Sequence, residues 1–281
     1  MSYLPISTEA PFAIDPDAIR QIGSEISEAY QTADPFPHTM IDDFLPREIV
    51  EYCQQNFPGA LGGEGMEFDR DQERFKRSFQ PDELSDPVLR NLFYHFNSLP
   101  FIQMVERITG IKGLIPDPYF IGGGFHETRT GGHLSMHADF NHHRPMDLER
   151  RVNVLIYLND DWDESYGGNL ELWDEDMKEC RQRIAPLAGR CVMFSTTGDS
   201  WHGHPDPVAH PDGKSRRSIA LYYYTSTWDA DRVQKTTQFK VRKGTEDRVD
   251  WKVKTNETLE EILPPILMRP TRKILNRTIF R

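Results

Sequence analysis

Cysteine is scarce: three in 281 residues (Cys53, Cys180, Cys191), odd in number, widely spaced and without a CxxC pair. That excludes a disulfide framework and a thiolate zinc clip, and leads us to expect a reducing, cytoplasmic compartment. No apolar run approaches the ~18 residues of a membrane span. The opening Met-Ser-Tyr-Leu-Pro-Ile-Ser has neither a basic nor an apolar stretch, so no secretory leader is expected. Internal repeats and low-complexity tracts are missing as well. Positive charge is in deficit, 33 Lys and Arg against 44 Asp and Glu, for a net charge of −11. Phosphate neutralisation dominates nucleic-acid affinity, so such a chain is a poor candidate for that partner. The bases that outnumber acids after about residue 230 are interleaved with acids and apolar residues and read as a solvated surface.

What the sequence does have is length enough for a sizeable core and a crowding of histidine. Eight of the ten histidines fall between His126 and His210.

Residues 1–110 read as a mostly helical support region. Asp15-Pro16 is a helix start, followed by Ile19, Ile22, Ile26 and Tyr30 at helical spacing. A short strand is expected over 37–45, and Pro46 opens a helix through about Asn56. Residues 58–81, glycine-rich and charged, read as a mobile loop. Helical spacing returns at Val88, Leu89, Leu92 and Phe93, and again at Ile102, Val105 and Ile108, ending at Gly110.

Beyond Gly110 the texture changes to short β-rich runs bounded by turn residues: 114–121, 133–140, 152–158, 169–173, 190–195 and 218–225. Repeated short strands of this kind argue for a sandwich or barrel over 111–228. Residues 229–281 form an extension whose apolar segment 259–275, interrupted by Pro264-Pro265 and Pro270, reads as a kinked helix on the barrel or as a contact between copies of the chain.

His137-Ala138-Asp139 sits at the end of a β run, where residues two apart share a face. Chance supplies about one His-x-Asp pair in a chain of this composition, and three occur here. The other two, His204/Asp206 and His210/Asp212, have proline between them in a proline-rich turn where strand alternation fails. His202 follows the strand 190–195. Two histidines and one carboxylate make a facial triad that leaves cis positions open on a transition metal. Trp201-His202-Gly203-His204-Pro205 offers His202 and His204 as distal ligand, and Gly203 favours His202. Further on, Arg216-Arg217-Ser218 opens a strongly apolar strand. The doublet offers Arg216 and Arg217 as anchor for a carboxylate, and the Arg-x-Ser spacing favours Arg216: it shares a face with Ser218, and a guanidinium beside a hydroxyl receives a carboxylate well.

The order His-x-Asp, distal His, Arg-x-Ser resembles the Fe(II)/2-oxoglutarate-dependent dioxygenases, and within them the prolyl-4-hydroxylase-like branch. Arg151 to Trp162 with its Tyr157-Leu158-Asn159 strand end, the Gly167-Gly168 hairpin start and Gly189 to Phe194 follow that branch in order. The resemblance covers about residues 110–228. It implies an α+β fold, a double-stranded β-helix (a jelly-roll or cupin-like barrel) flanked by N-terminal helices and a C-terminal helical tail. It implies Fe(II) on His137, Asp139 and His202, and 2-oxoglutarate held through its distal carboxylate by Arg216, with Ser218 or Tyr157 adding a hydrogen bond. The implied reaction hydroxylates a C–H bond with O2 and releases succinate and CO2, on a prolyl residue, a small molecule or a glycan. The alternative is a cupin-like metal- or ligand-binding protein, or a zinc hydrolase. His126 is placed to line the cosubstrate pocket, and the loop at His142-His143 to meet substrate.

Overall fold

Asp15 starts the first helix as the spacing predicts: its carboxylate accepts from the backbone N–H of Asp17 and Ala18, with Pro16 in the first turn. The predicted run then breaks. Helix α1 (Pro16–Ile19) is followed by a 3-10 turn, entered at Gly23 with φ +104°, and by α2 (Ser27–Gln31). Helix α3 (Arg47–Gln55) lies where Pro46 predicts it. Asp86 caps α4 (Pro87–Phe96), and Gly110, φ +75°, ends α5 (Leu99–Thr109). This computed structural model describes residues 1–63, 65–227, 234–245 and 247; the expected helix over 259–275 and its contact between copies lie outside them.

Thirteen strands join one antiparallel curled sheet. In chain order they are β1 (His38–Ile41), β2 (Met66–Arg70), β3 (Glu73–Phe79), β4 (Ile115–Pro116), β5 (Gly124–Ala138), β6 (His142–His143) and β7 (Leu148–Tyr157). Then come β8 (Leu170–Trp173), β9 (Cys180–Ile184), β10 (Cys191–Ser195), β11 (His202–His204), β12 (Arg216–Thr225) and β13 (Gln238–Phe239). The main order is β1-β10-β7-β12-β5-β11-β8-β9, with β3 and β13 also on β5. This curled sheet is the double-stranded β-helix.

Alternation along the central strands separates two cores. Val152, Val154 and Ile156 of β7, Ile219, Leu221 and Tyr223 of β12, and Cys191 and Met193 of β10 pack with the helices. Leu155, Tyr157, Val192 and Phe194, the residues between them, face the barrel interior. On the helical side Phe93 of α4 meets Phe125 of β5 edge-on at 5.3 Å and Phe120 at 5.4 Å. Each buried ring contributes about 1.5–3 kcal/mol of transfer free energy.

Strand β5 is shared by both halves. Its start pairs with β12 and its end, Leu134 and His137, with β11. Between the two lie Gly131, φ +79°, and Gly132, where a Cβ would stand 2.6 Å from the Arg74 carbonyl oxygen. Only glycine allows that approach.

Two expectations are corrected. Residues 58–81 are not simply a mobile loop: β2 and β3 form a hairpin there, and β3 lies along β5 from Glu73 to Phe79. Its alternation was hidden by charged residues, because the hairpin's outer strand is largely exposed. The stretch 114–121 is only briefly a strand, since Asp117 turns the chain by accepting from the N–H of Tyr119 and Ile121.

Candidate active site

Inside the barrel is a cavity of about 450 Å³, lined among others by His126, His137, Asp139, Arg150, His202, His204, Arg216 and Ser218. One face is metal-like. A ligand atom from each of His137, Asp139 and His202 lies within 4.8 Å of the others, and they are the one such group of three or more among the described residues. His137 is the last residue but one of β5, Asp139 follows the strand directly, and His202 opens β11 opposite His137 in register. Asp139 Oδ1 lies 3.7 Å from His137 Nε2, and its Oδ2 3.5 Å from His202 Nε2.

Both rings are oriented by the backbone. His137 Nδ1–H donates to the Ser135 carbonyl at 3.0 Å, and His202 Nδ1–H to that of Ser200 at 2.9 Å. A carbonyl only accepts, so both Nε2 lone pairs are left to face the carboxylate, the tautomer a metal requires. Burial drives both imidazoles toward the neutral form, His137 down to about 3. Burial would raise Asp139, but Arg150 and the two histidines hold it far below the usual carboxylate range. Two neutral nitrogens and one carboxylate suit Fe(II).

Asp139 is itself fixed by groups that sequence reasoning did not single out. Its Oδ2 accepts from Asn153 Nδ2 at 2.7 Å and pairs with Arg150 Nη2 at 3.0 Å. The Arg150 guanidinium lies between the rings of Phe140, at 4.5 Å, and Tyr222, at 3.6 Å. Strict alternation would turn Arg150 away from Asn153. A register shift in the β7–β12 pairing at Tyr223/Tyr224 admits both to one side, and no local sequence signal marks it.

The far wall is built for an anion. Arg216 is 5% exposed; its Nε donates to the Gly168 carbonyl at 2.6 Å, and its Nη2 lies 3.4 Å from the Tyr157 hydroxyl. Gly168, φ +67°, leaves room for the arginine stem, 3.0 Å from where a Cβ would sit. No described carboxylate pairs with this guanidinium. Ser218 lies opposite Tyr157 in register and lines the same cavity. Arg217 turns the other way, toward Glu127 at 3.2 Å and over the Phe57 ring at 4.4 Å.

His204 is also in the wall but outside the His-Asp-His group. His126 lines the cavity as expected. His142 and His143 are not a substrate-facing loop: both are buried on β6, His142 Nε2 2.7 Å from Asp147 Oδ1 and His143 Nε2 3.2 Å from Asp117 Oδ1. Acidic residues on neighbouring turns pair with both Nε2 atoms, an arrangement invisible in linear order.

Residues 123–251 match the model of the 2OG-Fe(II) oxygenase superfamily. They form a 2OG-Fe(II) oxygenase domain. Around this oxygenase domain the chain is 26% identical over 237 residues to prolyl 3-hydroxylase OGFOD1 of Mus musculus, covering 78% of this chain and 40% of that protein. The chain thus spans well under half the length of that curated relative. A prolyl hydroxylase from Trichoplax adhaerens, solved with a hypoxia inducible factor peptide, superimposes with a TM-score of 0.54 at 17% identity, covering 74% of this chain and 91% of that one. A Pseudomonas putida prolyl-4-hydroxylase gives 0.51 at 17% identity, covering 73% and 99%. HygX from Streptomyces hygroscopicus, solved with nickel and 2-oxoglutarate, gives 0.51 at 13% identity, covering 78% and 98%. These structures share the fold. Among the described residues no helix is long and apolar enough to cross a membrane.

Proposed function

We propose that this chain is an Fe(II)- and 2-oxoglutarate-dependent hydroxylase. His137, Asp139 and His202 would hold the metal, and Arg216 the distal carboxylate of 2-oxoglutarate, with Ser218 and Tyr157 adding hydroxyls. The observation that carries this reading is one cavity with a convergent His-Asp-His group and a buried guanidinium that no described carboxylate neutralises. Burying a lone guanidinium is costly, and a dicarboxylate ligand offsets that cost. Bound iron would supply oxygen activation coupled to oxidative decarboxylation of 2-oxoglutarate to succinate and CO2.

The protein's own part is positional. Ser135 and Ser200 carbonyls fix the imidazole tautomers, and Arg150 and Asn153 keep Asp139 ionised and oriented. The substrate class we favour is a prolyl residue in a peptide, on the likeness to prolyl hydroxylases; small molecules and glycans are the other candidates. Cys53 and Cys191, buried as free thiols, and Cys180, also free, suit a reducing cytoplasmic setting.

The test is anaerobic titration of the protein with Fe(II) and then 2-oxoglutarate, following the visible charge-transfer band of the chelate. The band should appear in the wild type and vanish in His137→Ala/Asp139→Ala. Its absence in the wild type, or persistence in the double variant, overturns the proposal. A zinc hydrolase would give no such band.

A further inference from the structure

His204 is a second buried donor that these roles leave unused. It is 4% exposed and lines the cavity with Arg216 and Ser218. Its Nδ1 is sealed in the wall without a hydrogen-bond partner, and no described residue bonds its Nε2. The contrast with His202, two positions earlier, is plain, because there a backbone carbonyl takes the Nδ1 proton.

A neutral imidazole has one N–H and one lone pair. A buried N–H without an acceptor is rarer and costlier than a buried acceptor without a donor. The proton of His204 therefore belongs on Nε2, and the lone pair on the sealed Nδ1. With Nε2 open to the cavity, the ring presents a donor to whatever lies there. Arg216 Nη groups offer donors to the same space, and Lys76, also in the lining, already pairs with Glu73 at 2.7 Å. An acceptor-only group with more than one oxygen would satisfy both His204 and Arg216.

We propose that His204 donates its Nε2–H to the distal carboxylate of 2-oxoglutarate beside Arg216, and so helps select a dicarboxylate over a 2-oxoacid ending in a methyl group. This rests on the oxygenase reading and adds a specificity-determining residue to it. His204 is not a metal ligand in this assignment.

The experiment is calorimetric titration of the Mn(II)-loaded full-length chain with 2-oxoglutarate and, separately, with 2-oxovalerate, which lacks the distal carboxylate. His204→Phe and His204→Leu remove the donor at similar bulk; His204→Gln keeps an N–H near the Nε2 position. Phe and Leu should each raise the Kd for 2-oxoglutarate about ten- to a hundredfold, the worth of a charge-assisted hydrogen bond. Gln should restore most of the affinity. Mn(II) affinity and the weak binding of 2-oxovalerate should not change. Thermal melts identify folded variants, and either Phe or Leu suffices. The inference is overturned if the folded donor-less variants bind 2-oxoglutarate like the wild type, if Gln fails to restore binding, or if Mn(II) affinity falls in parallel. Absence of 2-oxoglutarate binding in the wild type would instead overturn the oxygenase reading itself.

Discussion

Arg150 and Asp139 form a buried ion pair, Nη2 to Oδ2 at 3.0 Å, on the same carboxylate that faces both His137 and His202. The arginine packs against the rings of both Phe140 and Tyr222, which hold its guanidinium beside Asp139.

Removing that arginine leaves a buried carboxylate without its counter-charge. Arg150→Ala is expected to weaken Mn(II) or Fe(II) binding about 10–100-fold, the usual cost of losing a group that orients a ligand. The metal-free protein should also lose about 3–5 kcal/mol of stability. Metal titration and urea unfolding of the metal-free protein measure the two effects; unchanged metal affinity would show that Asn153 alone orients Asp139.

The arginine doublet separates by direction. Arg216→Ala should abolish measurable 2-oxoglutarate binding in calorimetry while leaving Mn(II) binding intact. Arg217→Ala should leave 2-oxoglutarate affinity unchanged and lower the melting temperature, because it breaks contacts with Glu127 and the Phe57 ring. The reverse pattern would assign the anchor to Arg217.

Acid should unfold the metal-free chain early. Burial, then the charge of Lys76, keeps the pKa of His126 well below 6.5; burial, then Arg216, does the same for His204. In the unfolded chain both titrate near 6.5. The unfolded state therefore binds protons that the folded state refuses, so this stability is full above pH 6.5 and falls as the pH drops below it. Each histidine contributes a slope of about 1.4 kcal/mol per pH unit. Urea unfolding between pH 7.5 and 5 measures it, and His126→Phe should flatten it by one histidine's share.

The aromatic seam between helices and sheet carries the fold's stability rather than its chemistry. Phe93→Ala removes a fully buried ring that touches Phe96, Phe120 and Phe125. Chemical denaturation should show a loss of about 3–5 kcal/mol, with metal and 2-oxoglutarate affinity retained in the folded fraction.

Much of the barrel is legible in the linear sequence because its central strands are buried on both faces. Val152 to Leu158 and Ser218 to Thr225 read as strands from their composition alone. Local capping signals at Asp15 and the glycine stop at Gly110 likewise act within a few residues. The β2–β3 hairpin was obscured because its outer strand faces solvent and carries charge instead of an apolar alternation. The candidate ligands at 137, 139 and 202 could be picked out because the end of one strand and the start of a later one carry them. Arg150 could not, since its place beside Asp139 depends on a pairing slip between two distant strands. His204 was visible as a residue; its unpartnered ring nitrogen is a property of packing.

Strand β5 gives the cavity a fixed length. The same chain segment sets Thr128 against Arg216 at one end and carries His137 at the other, with the Gly131-Gly132 bend between them. The main-chain positions that carry the anchor and the ligand group are therefore fixed relative to each other by strand pairing. The barrel acts as a gauge: a ligand must match in reach as well as in charge, and a single Cβ at Gly132 would recalibrate it.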